Sequence, residues 1–263
     1  IWHKLLPKNC VIISNMDGLE WKRSKYSPIV RKFLKYAEKL AVKSSDYLIA
    51  DSIGIQNYLL KEYNAKSEYI AYGAELFDAP NINILAQYDV EETNYNMLVA
   101  RFEPENNLEV ILDGVVLANK KTTFLVVGNH HTNKFGAYLK NKFKRYNYIR
   151  FVGGIYNLEH LNNLRYYSNL YFHGHSVGGT NPSLLEAMAS KALIIAHENE
   201  FAKSILEDDA FYFSTKEDVK QYLESIEKDN YRDKIENCYT KIEQKFKWEI
   251  INKKYLDFFH DCN

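Results

Sequence analysis

Residues 170–197, LYFHGHSVGGTNPSLLEAMASKALIIAH, constrain the fold more than any other stretch. The apolar run 170–172 has the character of a buried strand. It ends in a polar turn, His173-Gly174-His175-Ser176-Val177-Gly178-Gly179-Thr180. Asn181-Pro182 then opens a helix, because Asn is a good N-cap and Pro is tolerated where a helix has no partner for its first N–H groups. The helix runs through Leu184, Leu185, Ala187, Met188 and Ala189, and a second apolar strand follows at 192–196. A strand, a glycine-rich turn, a helix and a strand in that order make one unit of a helix-covered parallel sheet. The free N–H groups and positive dipole end of this helix suit a phosphate. Glu186 lies one turn in, on the face of Pro182, within reach of hydroxyls beside that phosphate. The stretch therefore points to a phosphorylated, hydroxyl-rich ligand. The plain alternative is an ordinary turn with a solvated Glu186.

The rest of the chain repeats the rhythm. A first series alternates strands at 11–14, 47–50 and 69–71 with two helices. The first helix starts at Ser27-Pro28 and carries Ile29, Phe33, Tyr36, Ala37, Leu40 and Ala41 at helical spacing. Residues 76–94 break the alternation and read as a linker with a short helix. A second series has strands at 97–100, 124–127, 149–152, 170–172, 193–196 and 211–213, with helices between them. The segment 233–260 reads as helical, with Trp248, Ile251, Tyr255 and Phe258 on one stripe. The pattern gives a partial domain over 1–88, a complete doubly wound domain over 95–230 and a helical segment over 231–263. The chain begins Ile1-Trp2-His3, and its first series has the strands of only half a domain. The expectation is that the front half is missing.

Bulk properties exclude some functions. The chain has 263 residues with 46% hydrophobic content, enough for a substantial core. Its formal net charge is zero, so nucleic acid is not an expected partner. The three cysteines, Cys10, Cys238 and Cys262, lack metal-ligand spacing and fit free thiols in a reducing compartment. No run approaches the roughly 18–20 apolar residues needed to span a bilayer. A cytoplasmic location is expected. The helix over 27–43 is rich in Lys and Arg, which suits either a solvated face or a peripheral contact with anionic membrane.

Ligands of open parallel sheets bind beyond the carboxyl ends of the strands. Arg101 follows the first strand of the second series, and its fork suits a diphosphate or a surface ion pair with Glu103 or Glu105. Gly128-Asn129-His130-His131 follows the next, without the acidic or thiol neighbours a metal site needs. Gly153-Gly154-Ile155-Tyr156 follows the third, where glycines let a flat ring approach and Tyr156 flanks it. His173 and His175 alternate around Gly174, so one is expected inward and one outward. In the first series Asp17 and Glu20 follow a strand end. They suit acid–base work, or a cap and an ion pair to Lys22 or Arg23.

The whole chain resembles the GT-B glycosyltransferases of family 4. The resemblance rests on MLVARFEPENN (97–107), FVGGIY (151–156), NPSLLEAMAS (181–190) and the last helix with Trp248. A bacterial rhamnosyltransferase-like subgroup looks nearest, through NMDGLEWKR (15–23), IADS (49–52), AYGAE (71–75) and HGHSVGGTNPSLLEAMAS (173–190). It implies an α/β GT-B fold with a complete Rossmann-like C-terminal domain and the rear half of an N-terminal one, the acceptor side, over 1–88.

The resemblance also implies site roles. Arg101 would meet the diphosphate and Asp17 orient the acceptor hydroxyl. Gly178, Gly179, Thr180 and Asn181 would hold phosphates and sugar, Glu186 the ribose, and Gly153 with Tyr156 the base. Many relatives carry a Lys where this chain has Asn106, and a Glu where it has Gly178. Asn106 is kept among the donor-binding residues, and Arg101 is left as the only strong cation assigned to the diphosphate. The implied reaction is metal-independent transfer of rhamnose from dTDP-rhamnose, with retention, to a polysaccharide or lipid-linked saccharide. No cofactor is expected. A sugar-nucleotide epimerase and a non-catalytic nucleotide-sugar-binding module are the alternatives.

Overall fold

The computed structural model describes residues 7, 9–23, 25–131 and 133–262; the opening Ile1-Trp2-His3 lies outside them. Two parallel sheets organise the chain. The first holds β1 (Ile13–Met16), β2 (Tyr47–Ala50) and β3 (Glu68–Tyr69), in that order. Helix α1 (Pro28–Ser44) joins β1 to β2, and α2 (Ile53–Tyr63) joins β2 to β3. Ser27 and Ser52 cap these helices by accepting from Val30 N and Ile55 N.

The second sheet contains β4 (Tyr95–Val99), β5 (Thr123–Val127), β6 (Ile149–Gly153), β7 (Tyr171–His173), β8 (Ile194–His197) and β9 (Phe211–Phe213). Its spatial order is β6-β5-β4-β7-β8-β9, the order of a dinucleotide-binding Rossmann sheet. The intervening helices are α3 (Leu108–Ala118), α4 (Lys134–Phe143), α5 (Leu158–Tyr167), α6 (Pro182–Ala189), α7 (Glu200–Leu206) and α8 (Lys216–Ser225). Alternate strand residues supply two cores. Met97, Leu125, Tyr171 and Ile194 belong to one. Leu98, Val126, Phe172 and Ile195 belong to the other. Such two-sided burial is why these strands are continuous apolar runs rather than alternating ones.

The chain then returns to the first sheet. Helix α9 (Arg232–Lys241) passes through a wide turn at Ile242–Phe246 and breaks at Lys247, whose backbone is extended. The expected single helical segment is therefore two helices. At the break Ala74 N donates to the Phe246 carbonyl at 2.8 Å. Helix α10 (Trp248–Asp261) lies on the first sheet: Trp248 packs over Gly73, the Tyr255 hydroxyl accepts from Asn15, and Phe258 meets Tyr47 edge-on. The layers also touch through α2 and α7, where the Phe201 ring sits against Gly54. The two sheets thus form opposite walls of a cleft.

Candidate functional site

The strand order reverses between β4 and β7. The crevice beyond their carboxyl ends is where a sheet of this topology receives a ligand. Two cavities open there. One, of about 240 Å³, is lined from the first wall by Asp17, Arg23 and Tyr72, and from the second by Arg101, His175 and the Gly178–Asn181 turn, among others. The other, of about 520 Å³, is lined by Arg101, Gly128, Gly154, Ile155, Tyr156 and Ser183, among others. Arg101, His175, Asn181 and Pro182 belong to both.

The turn is shaped by close approaches. Gly178 has φ +133, a conformation side chains rarely adopt. A Cβ on Gly179 would fall 1.8 Å from an Asp51 carboxylate oxygen. Thr180 is buried, and its hydroxyl donates to the Asp51 carbonyl. Asn181 caps α6 by accepting from Ser183 N at 2.9 Å. Leu184, Leu185, Ala187 and Met188 pin the helix to the core, so its free N–H groups point into the crevice from a fixed position.

Several of the expected site residues have partners within the protein. Glu186 lines neither cavity among the described residues. Its carboxylate pairs at 2.7 Å with the guanidinium of Arg165, which is fully buried. Arg165 also donates to Asn162 Oδ1 and to Ser183 Oγ, and Tyr171 shares that hydroxyl at 3.0 Å. Glu186 stands one turn beyond Ser183 at the edge of the larger cavity. Asn106 is buried, and its amide donates to the Arg101 carbonyl at 2.7 Å; it positions the loop and lines neither cavity. Gly153 accepts from Gly128 N and adopts φ +79, so it shapes the turn while Gly154, Ile155 and Tyr156 face the cavity. Tyr156 is 90% exposed.

The two histidines do not alternate. His173 belongs to β7, and Gly174 after it leaves room for the Asn106 carbonyl, which a Cβ there would meet. The rings of His173 and His175 stack at 4.9 Å, and both line the smaller cavity. Burial, then Arg101 and Arg23, push His175 down to about 3, and burial holds His173 well below the usual histidine range. Both are neutral at physiological pH.

Three further residues were not assigned from the sequence. Arg165 falls on the stripe of Leu161 and Leu164, and a cation on an apolar stripe was the signal for a buried pair. Arg23 brings a second guanidinium to the smaller cavity, so Arg101 is not the only cation there. It also pairs with Glu20, one of the partners expected of it. Asp51 is 1% exposed. Burial and the Asp17 carboxylate push its carboxyl up to about 8. Among the described residues, no group of three or more His, Cys, Asp or Glu stands together as a metal site. No helix among them is long and apolar enough to cross a membrane.

Residues 83–245 match the family of glycosyl transferases group 1, and residues 3–75 match a domain of unknown function, DUF1972. A probable sucrose-phosphate synthase of Thermosipho melanesiensis is 22% identical over 251 residues, covering 86% of this chain and 57% of the relative. The chain thus spans little more than half that relative's length. Anabaena HepE, solved in complex with UDP-glucose, superposes with a TM-score of 0.78 at 15% identity, over 95% of this chain and 72% of that one. Sucrose-phosphate synthase of Thermosynechococcus elongatus superposes with a TM-score of 0.74 at 16% identity, over 95% and 67%. At these identities the structural likeness shows the shared GT-B fold.

Proposed function

Since the chain belongs to the glycosyl transferases group 1 family, we propose that it contributes to moving a sugar from a nucleotide-sugar to a saccharide acceptor. One observation carries the reading: a partly apolar cavity and a polar, cationic one share Arg101 and the start of α6 at the switch point of a Rossmann sheet. A base fits the first, against Ile155 and Tyr156. Phosphates and sugar fit the second, against Arg101 and Gly178–Asn181. Departure of a nucleoside diphosphate gathers negative charge, which Arg101 and the dipole of α6 offset from fixed positions. Asp17 enters the same cavity from the opposite wall, where an acceptor hydroxyl would approach. Glu186 would accept from the ribose with the oxygen that Arg165 leaves available.

The finer reading is rhamnose from dTDP-rhamnose, transferred with retention and without a metal, to a polysaccharide or lipid-linked acceptor on the cytoplasmic side of a membrane. Its support is the NMDGLEWKR and HGHSVGGTNPSLLEAMAS motifs. Calorimetric titration with UDP, dTDP, UDP-glucose and dTDP-rhamnose, each with and without EDTA, tests it. The expected outcome is preference for the thymidine ligands and indifference to EDTA. Preference for uridine ligands overturns the donor assignment. Binding that needs a divalent cation overturns the metal-independent part.

A further inference from the structure

We propose that Arg23, on the wall opposite the donor turn, is a second ligand for the diphosphate and grips it together with Arg101. This rests on the glycosyl-transfer reading and adds a residue from the other wall to it.

Of the residues that line the two cavities, Arg101 and Arg23 are the Lys and Arg present. They come from different sheets. Arg101 follows β4, and Arg23 ends the loop that follows β1. Both lie close enough to His175 to disfavour its charged form, so their fields overlap where the ring lies. A diphosphate brings at least two negative charges. One guanidinium and the roughly half-charge of a helix N-terminus leave it under-compensated. A second guanidinium supplies the difference, and its planar fork suits phosphoryl oxygens.

The loop is built to hold Arg23 in place. Leu19 is buried against Ala50, Ile55 and Leu59. A single turn at Glu20–Lys22 closes through Lys22 N to the Leu19 carbonyl at 2.8 Å and Arg23 N to the Glu20 carbonyl at 3.1 Å. Arg31 Nε donates to the Trp21 carbonyl, and Trp21 Nε1 donates to the buried Glu38. Glu20 forms an ion pair with Arg23, which holds the side chain close to the cavity it lines. The Arg23 side chain is only 14% exposed, so its attraction is weakly screened by solvent. Gly18 approaches Gly178 across the cleft with no side chain between them, which brings this loop to the donor turn.

The test is calorimetric titration of the full chain and its R23A and R23K variants with UDP, dTDP, uridine and thymidine. Loss of a charge-assisted hydrogen bond predicts about 10- to 100-fold weaker binding of the preferred diphosphate by R23A. R23K should fall between R23A and wild type, because an ammonium keeps the charge without the fork. Binding of the matching nucleoside should be unchanged in both variants. Diphosphate affinity equal to wild type in R23A overturns the proposal. So does an equal loss for diphosphate and nucleoside, which would mark a distorted cleft. Wild-type protein that binds neither UDP nor dTDP overturns the glycosyl-transfer reading, and this inference with it.

Discussion

On the proposed reading Glu186 has two tasks at once, and its replacement should show both. Removing its carboxylate would take away the proposed ribose acceptor and leaves the buried Arg165 without the charge it pairs with. For E186A we expect nucleotide affinity to fall by about one to two orders of magnitude, from hydrogen bonds to a charged group worth ~1.5–3 kcal/mol. The ligand-free protein should also melt several degrees lower. Breaking a fully buried pair costs about 3–5 kcal/mol, and a Glu that is one-third exposed reduces this to about half. E186Q retains the packing and one acceptor for Arg165, so its melting temperature should lie nearer wild type while its affinity still falls. Unchanged affinity in both variants sinks the ribose assignment. Asp51 makes the opposite prediction. The folded protein holds a proton there, up to about pH 8, that the unfolded chain releases near 4. This group's contribution is therefore full below pH 4 and is lost as pH rises towards 8. Asn mimics the protonated acid, so D51N should lose less melting temperature than wild type between pH 5 and 8. Identical pH dependence in thermal scans would show that Asp51 is ionised in place. At this scale the sequence was legible where chemistry is local, as in the Asn181 cap and the Gly178–Gly179 turn. It was silent where a partner comes from afar, as with Asp51 beneath Gly179 or Asn106 beneath Arg101.

Among the elements, α1 carries the least explained surface. Ile29, Phe33 and Tyr36 follow one another along its outer face, and Ile29 is 81% exposed. Lys32, Lys39 and Lys43 run alongside, while the helix's one acid, Glu38, is turned inward. There Glu38 accepts from Tyr58, Tyr63 and Trp21, and Lys35 lies over three aromatic rings. The inner face is thus locked to α2 and the outer face pairs an apolar ridge with a cationic row, which suits an anionic lipid surface. Each Lys near such a surface is worth about 1 kcal/mol. In flotation with vesicles of phosphatidylglycerol, the protein should rise with the lipid, and K32E with K39E should abolish this while leaving the melting temperature unchanged. Wild-type protein that stays with the aqueous phase would identify the row as merely solvated. The periodicity of α1 was visible in the sequence. Which residues of that stripe face outward was not, because Ile29 and Leu40 look alike until neighbouring elements are placed.

Across the whole molecule, the alternation of strands and helices predicted the second sheet well, since both of its faces are covered and its strands are plain apolar runs. Two features escaped. The break at Lys247 has no Pro or Gly to announce it. The seat of Trp248 over Gly73 joins residues too distant in sequence for any local pattern to connect. That seat has a consequence for biosynthesis. Asn15 and Tyr255, which meet through a hydrogen bond, are separated by 240 residues, so at about 5–20 residues per second the partner of β1 emerges from the ribosome roughly 10–50 s after it. During that interval the nascent β1–β3 layer waits with the face destined for α10 uncovered. A helix made late thus closes over a strand made early, and a chaperone able to hold that strand has this whole interval in which to act.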